Sequence, residues 1–434
     1  MFTRKYWLLL ISAAVVFLVH YSLVGQAVYG DGLGYFAHLH SWVFDRDLNF
    51  ANEFRHVYSP ENNNSSKPIS APDIAFVETL PDRSAGNYYN PGTAVLLLPF
   101  YLLADLISGL GNAIGLSLPR NGYADLYQIM SGLGAVLYAV FGVYLLEKIL
   151  KQTGFSEKVS FFSAILIFLG THLFYYGSYD VLNSHFASFF ANALAWWLIV
   201  SHKSKRGVIA AGLAAGLAAC IRPQDGILIF AMAGYLWQTK SKYIPGFVLG
   251  LIPGLSVWLI FSSTVFGAFW KHTHVLYLWS RVGDGTVINW LSSLFDGRNG
   301  LFIKSPVLLV SLIFLGLNRK LLKKPVILWT GIFFVIQHVI ISFQLGWTAA
   351  AYGGRMYTSS LIFFGLILAG LMEKLWEKRG TIFTLVFGVV FILLNWYSMT
   401  KFILFDRETS DGKGGVEKST LLRIQKIQNY FRLP

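Results

Sequence analysis

The chain has 434 residues, a mean hydropathy of +0.53 and 13% charged residues, against about 25% in a soluble domain. Its net charge of +13 sits in short basic clusters between long apolar runs, the pattern of cytoplasmic loops rather than of a nucleic-acid interface. The single cysteine, Cys220, cannot close a disulfide within one chain. Together these features predict an all-α polytopic membrane protein.

Arg4 and Lys5 precede an apolar run from Tyr6 to about Val24. It is long enough to span and lacks a small-x-small cleavage site, so it reads as a retained anchor with its N-terminus inside. Further spans are expected near 124–146, 160–177, 184–200, 208–222, 226–239, 244–263, 301–317, 326–344, 357–372 and 380–400. The total is about eleven, within a range of about ten to thirteen. The basic loops 147–158, 201–207, 240–242, 317–325 and 373–379 then face the cytoplasm. The apolar stretch Thr93–Leu118 breaks this parity if it crosses. It is expected to lie at the outer interface or to re-enter the membrane. Residues 1–400 form the transmembrane domain, with an external loop at 26–123, and residues 401–434 form an external tail. Within the loop, Asp31–Phe54 has helical spacing, with Leu33, Phe36, Ala37 and His40 near one face. Glu61–Lys67 is polar and expected to be mobile.

Chemistry-bearing residues crowd the outer ends of these spans. Asp31 stands between Gly30 and Gly32, where it reads either as a general base or as a helix cap. Asp45 and Asp47 flank Arg46; they hold a divalent cation such as Mg or Mn, or are neutralised by that arginine. His38 and His40, with His56, read as a transition-metal site if a strand sets them on one face, but mainly, like His272 and His274, as interfacial hydrogen-bonding groups, since i and i+2 on a helix diverge. Arg222, fifteen residues after Gly207, lies about 22 Å along a helix. It meets an anion such as phosphate, or pairs with Asp225, or snorkels to headgroups. Arg355, Arg298 and Lys304 grip a phosphate or anchor to headgroups, and His185 hydrogen-bonds a ligand or neighbours a cap. Tyr35, Trp42, Tyr88 and Trp347 are candidates to stack on a sugar, against a default of interfacial anchoring.

The motifs YGDGLGYFAHLHSWVFDRDLNF, YYNPGTAVLLLPFYLLADLI, GTHLFYYGSYDVLNSHF, GLAAGLAACIRPQDGIL, DGRNGLFIKSPVLLV and WTAAAYGGRMY occur in that order. In order and position the chain resembles the C-type (GT-C) membrane glycosyltransferases, the superfamily of protein O-mannosyltransferases and the lipid A aminoarabinose transferase. The resemblance implies a polyprenyl-phosphate sugar donor and an acceptor hydroxyl on an envelope glycan, lipid or protein. It implies Asp31 as the catalytic base, with Arg222, His185 and Arg355 at the donor phosphate. Asp45 and Asp47 form a second acidic pair. The implied enzyme transfers a hexosyl or pentosyl group with inversion, facing the exterior of the cytoplasmic (inner) membrane. The competing reading is a flippase of lipid-linked sugars, which calls for deep ionisable residues and repeated halves; few such charges and no repeat are visible.

Overall fold

A computed structural model describes residues 3–58, 65–66, 77–79, 85–202, 204–271, 287–343, 347 and 351–406. His272, His274 and most of the Glu61–Lys67 stretch lie outside them. Helix α1 (Arg4–Val24) ends where Gly25 adopts φ 75° and returns its N–H to the Tyr21 carbonyl. The loop that follows is tied to the bundle at once. The Ala27 N–H donates to Gln128 Oε1 at 3.0 Å, and the Tyr21 hydroxyl to Asp125 at 2.7 Å. The expected single surface helix is broken in three: α2 (Gly32–His40), a π turn at Ser41–Asp45 and α3 (Ala51–Arg55). The break falls at Arg46, the one described non-glycine residue with positive φ, 59°.

Helix α4 (Gly92–Ala113) carries the stretch that breaks the parity. Length and apolarity alone allow it to cross. Its contacts lie along the first half of α5 (Asp125–Gln152) and at the end of α9 (Lys205–Ile221). Gly92 abuts Cys220 and Ile221, Phe100 packs on Tyr138, and Tyr101 and Asp105 bond to Gly122, Arg120 and Tyr127. Successive turns of α4 therefore pass back along α5 (Asp125–Gln152) towards its start, beside the end of α1.

The bundle continues through α6 (Glu157–Leu169), α7 (Leu173–Ser178), α8 (Ser184–Ser201), α9 (Lys205–Ile221), α10 (Ile227–Lys240) and α11 (Ile244–Phe266). Then come α12 (Val287–Phe295), α13 (Leu301–Lys304), α14 (Pro306–Leu317), α15 (Pro325–Phe343) and α16 (Leu361–Lys401). Helices α9 and α11 cross closely because glycines face one another. A Cβ on Gly250 would strike the Ile209 carbonyl, and Gly216 abuts Gly254. This small-xxx-small spacing lets backbones approach in lipid, where apolar burial supplies little drive. The expected span 160–177 is interrupted at Gly170, and 301–317 at Ser305, where Pro306 opens a new helix. Among the described residues six helices are long and apolar enough to cross a membrane, fewer than the expected eleven. The shortfall reflects such breaks and fusions: α9 has 17 residues, and α16 merges two limbs about Gly380 at φ 78°. The limbs run in opposite senses. Trp376 packs on Phe162, whereas Asn395 bonds to Leu169, Thr171 and Tyr352.

Two ends result. At one end, Lys324 donates to the Thr153 carbonyl, Lys374 to Asn318, Lys158 to Thr381 and Lys240 to the His202 carbonyl. The basic loops thus meet each other. At the opposite end Arg355 meets Asp31, Tyr89 meets Asp31 and Arg222 meets His185. Between them Trp7, Leu8, Ile11, Phe230, Trp237, Ile260 and Ile382 point outward. Water would penalise so much large apolar surface, whereas hydrocarbon accepts it. The protein is a multi-pass membrane protein.

Candidate active site

Asp31 opens α2 but makes no side-chain capping bond, so the cap reading is not realised. Gly30, at φ 55°, turns the chain before it. A Cβ on Gly32 would lie 2.6 Å from the Leu182 carbonyl oxygen, and one on Gly34 would enter the Tyr89 ring. The glycines thus admit the protein's own neighbours and set the helix start deep against the loop before α8. Asp31 Oδ1 accepts from the Tyr89 hydroxyl at 3.1 Å, and Oδ2 accepts from Arg355 Nη1 at 2.8 Å. The Asp31 side chain is 34% exposed and that of Arg355 18%.

Arg355 is delivered by two left-handed glycines, Gly353 at φ 32° and Gly354 at φ 50°. Gly354 N–H donates to the Asn299 carbonyl at 2.7 Å, and the Cβ of Lys304 fills the space above Gly353. Lys304 is thus buried beneath the arginine loop. Arg298 is exposed on the neighbouring turn and stays outside the cluster. The buried Arg355 Nε has no hydrogen-bond partner among the described residues. A crevice beside it, lined by Trp347, Tyr352 and Met356 among others, holds about 10 Å³, room for one water. Trp347 Nε1 is likewise buried and without a partner among the described residues.

Arg222 ends α9 because Pro223 follows and starts a 3₁₀ turn. Its Nη1 lies 3.0 Å from His185 Nδ1 and 3.4 Å from the Arg355 carbonyl, and Nη2 lies 2.9 Å from Met356 Sδ. Among the described residues it forms no ion pair with Asp225. That carboxylate instead accepts from Ser188 and Ser359, at 2.5 and 2.7 Å. His185 is held by Asn183, whose side chain caps its N–H at 2.8 Å, and its ring lies 4.3 Å from that of Tyr176. Tyr35, one turn after Asp31, sets its ring edge-on to Tyr89 at 4.9 Å. Asp31, Tyr35, His185, Arg222 and Arg355 are therefore brought together: Arg355 pairs with Asp31, and its own carbonyl lies 3.4 Å from Arg222 Nη1. Arg222 is only 8% exposed, so its charge needs an anionic partner. The sequence does not mark Tyr89; nothing in NYYNPG separates it from the other tyrosines. Trp42 faces His38 and Tyr88 faces Tyr89, so both are engaged by the protein.

The Asp45/Asp47 pair is not one site. The π turn and the left-handed Arg46 separate the two roles: Asp47 Oδ1 accepts from Ser41 Oγ and the Asn49 N–H, both at 3.2 Å. Neither carboxylate pairs with Arg46 among the described residues. Asp45 joins His40 and Glu53, a grouping the sequence reading missed. Burial pushes the Glu53 carboxyl up to about 7, against the pull of its hydrogen bond with His40. His38 points away, to the Tyr89 carbonyl at 2.8 Å.

No family model and no curated protein match the chain. Among solved structures it is similar to the oligosaccharyltransferase of Archaeoglobus fulgidus. To the apo form the identity is 11% and the TM-score 0.47, over 92% of this chain and 56% of that one. To the complex with an inhibitory peptide and a dolichol-phosphate the values are 10% and 0.46, over 96% and 56%. To the complex with Zn and sulfate they are 12% and 0.43, over 96% and 57%. The chain spans a little over half the length of these structures. Likeness at this level establishes neither family nor activity.

Proposed function

We propose that the chain is a glycosyltransferase that moves a sugar from a polyprenyl-phosphate donor to an acceptor hydroxyl, with Asp31 as general base. The observation that carries this reading is that Arg355 pairs with Asp31 and meets Arg222 through its carbonyl, so that three distant parts of the sequence converge. An arginine pair in a dry setting suits a phosphate, which guanidinium binds bidentately. A carboxylate beside it suits an acceptor hydroxyl.

In the resting arrangement Asp31 is engaged by Arg355 and Tyr89. The donor phosphate competes for Arg355 and frees the carboxylate. The acceptor O–H then gives its proton to Asp31 while its oxygen attacks the anomeric carbon. The bond from that carbon to the phosphate oxygen breaks, and polyprenyl phosphate leaves with an added negative charge. Arg355 and Arg222 stabilise that charge. A single displacement inverts the anomeric centre. The transferred group is a hexosyl or pentosyl unit, and the reaction takes place on the outer face of the cytoplasmic membrane. Lys304 supports the Arg355 loop, and Arg298 serves the surrounding headgroups.

The test is release of free polyprenyl phosphate by the reconstituted protein. It is given a panel of polyprenyl-phosphate sugars and an envelope extract, with Asp31→Asn in parallel. Turnover by the wild type alone supports the base assignment. Equal turnover in both removes Asp31 from the mechanism. Donor scrambling across vesicles without release replaces transfer by flipping.

A further inference from the structure

His40 closes α2 at the end opposite Asp31, nine residues on and about 13 Å away along the axis. Its Nδ1 has three oxygens at hydrogen-bonding distance: Glu53 Oε1 at 3.0 Å, Asp45 Oδ2 at 3.1 Å and the Tyr123 hydroxyl at 3.1 Å. A neutral imidazole nitrogen carries one proton or one lone pair, so it satisfies one of the three. Glu53 is 2% exposed, and its second oxygen, Oε2, is buried with no hydrogen-bond partner among the described residues. Leaving a carboxylate oxygen unsatisfied in the interior is costly. Two acidic groups and a crowded imidazole therefore share a space in which Asn52 serves Asp45 but no described donor reaches Glu53 Oε2.

We propose that His40, Asp45 and Glu53 bind a divalent first-row transition-metal ion, Zn²⁺ or Mn²⁺, at the C-terminal end of α2. The three ligand atoms lie within 4.8 Å of one another. Neighbouring ligands on an ion with bonds of about 2.1 Å stand about 3.0 Å apart at octahedral angles and about 3.4 Å at tetrahedral ones, close to the 3.0 and 3.1 Å from His40 to the two carboxylates. One nitrogen with two carboxylates favours such an ion over Mg²⁺ or Ca²⁺, which take oxygen alone. The negative end of the α2 dipole adds to the attraction. Asn52 Nδ2 donates to Asp45 Oδ2 at 2.7 Å and orients that ligand. Asp45 is partly exposed, which leaves an entry path from solvent. The ion would clamp the π turn and α3 to α2. It acts by position, far from the reacting atoms, and holds irrespective of the transfer reading.

The test uses the full chain without a histidine tag, stripped with chelator and dialysed against Zn²⁺, Mn²⁺ or Mg²⁺. Bound metal is measured by mass spectrometry and folding by thermal unfolding. About one Zn²⁺ or Mn²⁺ per chain is expected, with a raised midpoint and no retained Mg²⁺. Glu53→Gln and His40→Asn lose the ion, and Asp47→Asn keeps it. Absence of retained ion in the wild type, or equal retention in Glu53→Gln, overturns the site. Should a variant not fold, Co²⁺ in the unmodified chain decides. A visible band abolished by equimolar Zn²⁺ supports the site, and the lack of such a band overturns it.

Discussion

Replacing Asp31 by asparagine should separate donor binding from turnover. The Asp31–Arg355 pair, at 2.8 Å, must be broken before a phosphate can take Arg355. Charges about 4 Å apart interact by about 4 kcal/mol at an effective dielectric near 20. Asp31 is 34% exposed, and screening by solvent reduces this to about 1–2 kcal/mol. The amide of Asp31→Asn keeps the size and can still accept from Tyr89, but it withdraws the competing charge. Polyprenyl phosphate should therefore bind Asp31→Asn about 5- to 30-fold more tightly than wild type. Turnover should fall by about 10²–10⁴, the usual contribution of a general base. The assay is equilibrium binding of a short-chain polyprenyl phosphate in nanodiscs, run beside donor consumption. Arg355→Met should weaken binding instead. Unchanged or weaker binding by Asp31→Asn would refute the competition, whatever happened to turnover.

Arg222→Lys keeps the charge but loses the planar fork that spans His185 and Met356; donor KM should rise about 10-fold or more, read by donor titration. Gly34→Ala drives a methyl into the Tyr89 ring and should cost about 1–3 kcal/mol together with most activity, read by thermal unfolding and turnover. Gly250→Leu should spread α9 from α11, because its side chain meets the Ile209 carbonyl; loss of a monodisperse elution peak checks it. His56 is stacked on Tyr123 at 3.8 Å, and burial, then the nearby His40, lowers its pKa to about 4. The unfolded chain, with the ordinary value of 6.5, takes up the proton first. Stability is thus intact above 6.5 and lost as pH falls towards 4, and His56→Phe should flatten that loss in proteolysis assays.

What the sequence discloses follows from how rare a residue is in its setting. Asp31, Arg222 and Arg355 stand out because charge beside a membrane helix is expensive and demands a partner. Reading could place each at the outer end of a span, but it could not choose between partners. Arg222 is the clearest case. Asp225 lies three positions on, which invites a local pair. Pro223 instead bends the chain into a 3₁₀ turn, and Asp225 is taken up by Ser188 and Ser359. The guanidinium is left to face His185. Tyr89 was hidden for the opposite reason, since aromatics are common here and none carries a charge to mark it. The glycines of GLAAGLAAC and GFVLGLIPG did have the readable spacing of a close helix crossing, and the structure pairs them.

The same contrast explains the acidic triplet. Asp45 and Asp47 look paired in sequence because they stand two positions apart. Whether they act together depends on backbone rotation, and Arg46 in the left-handed region supplies it. His40 and Glu53 are thirteen positions apart and share no pattern. The π turn adds a residue to the helical period and carries Asp45 round to the face of His40, while α3 brings Glu53 back beneath it. A helix that bears a reactive carboxylate at its start needs a fixed far end if that carboxylate is to hold its aim. In α2 the first turn is gripped by Leu182, Tyr89 and Arg355, and the last turn by the His40 cluster. Loosening the far cluster should therefore lower turnover through Asp31 while leaving Arg222 and its phosphate affinity in place.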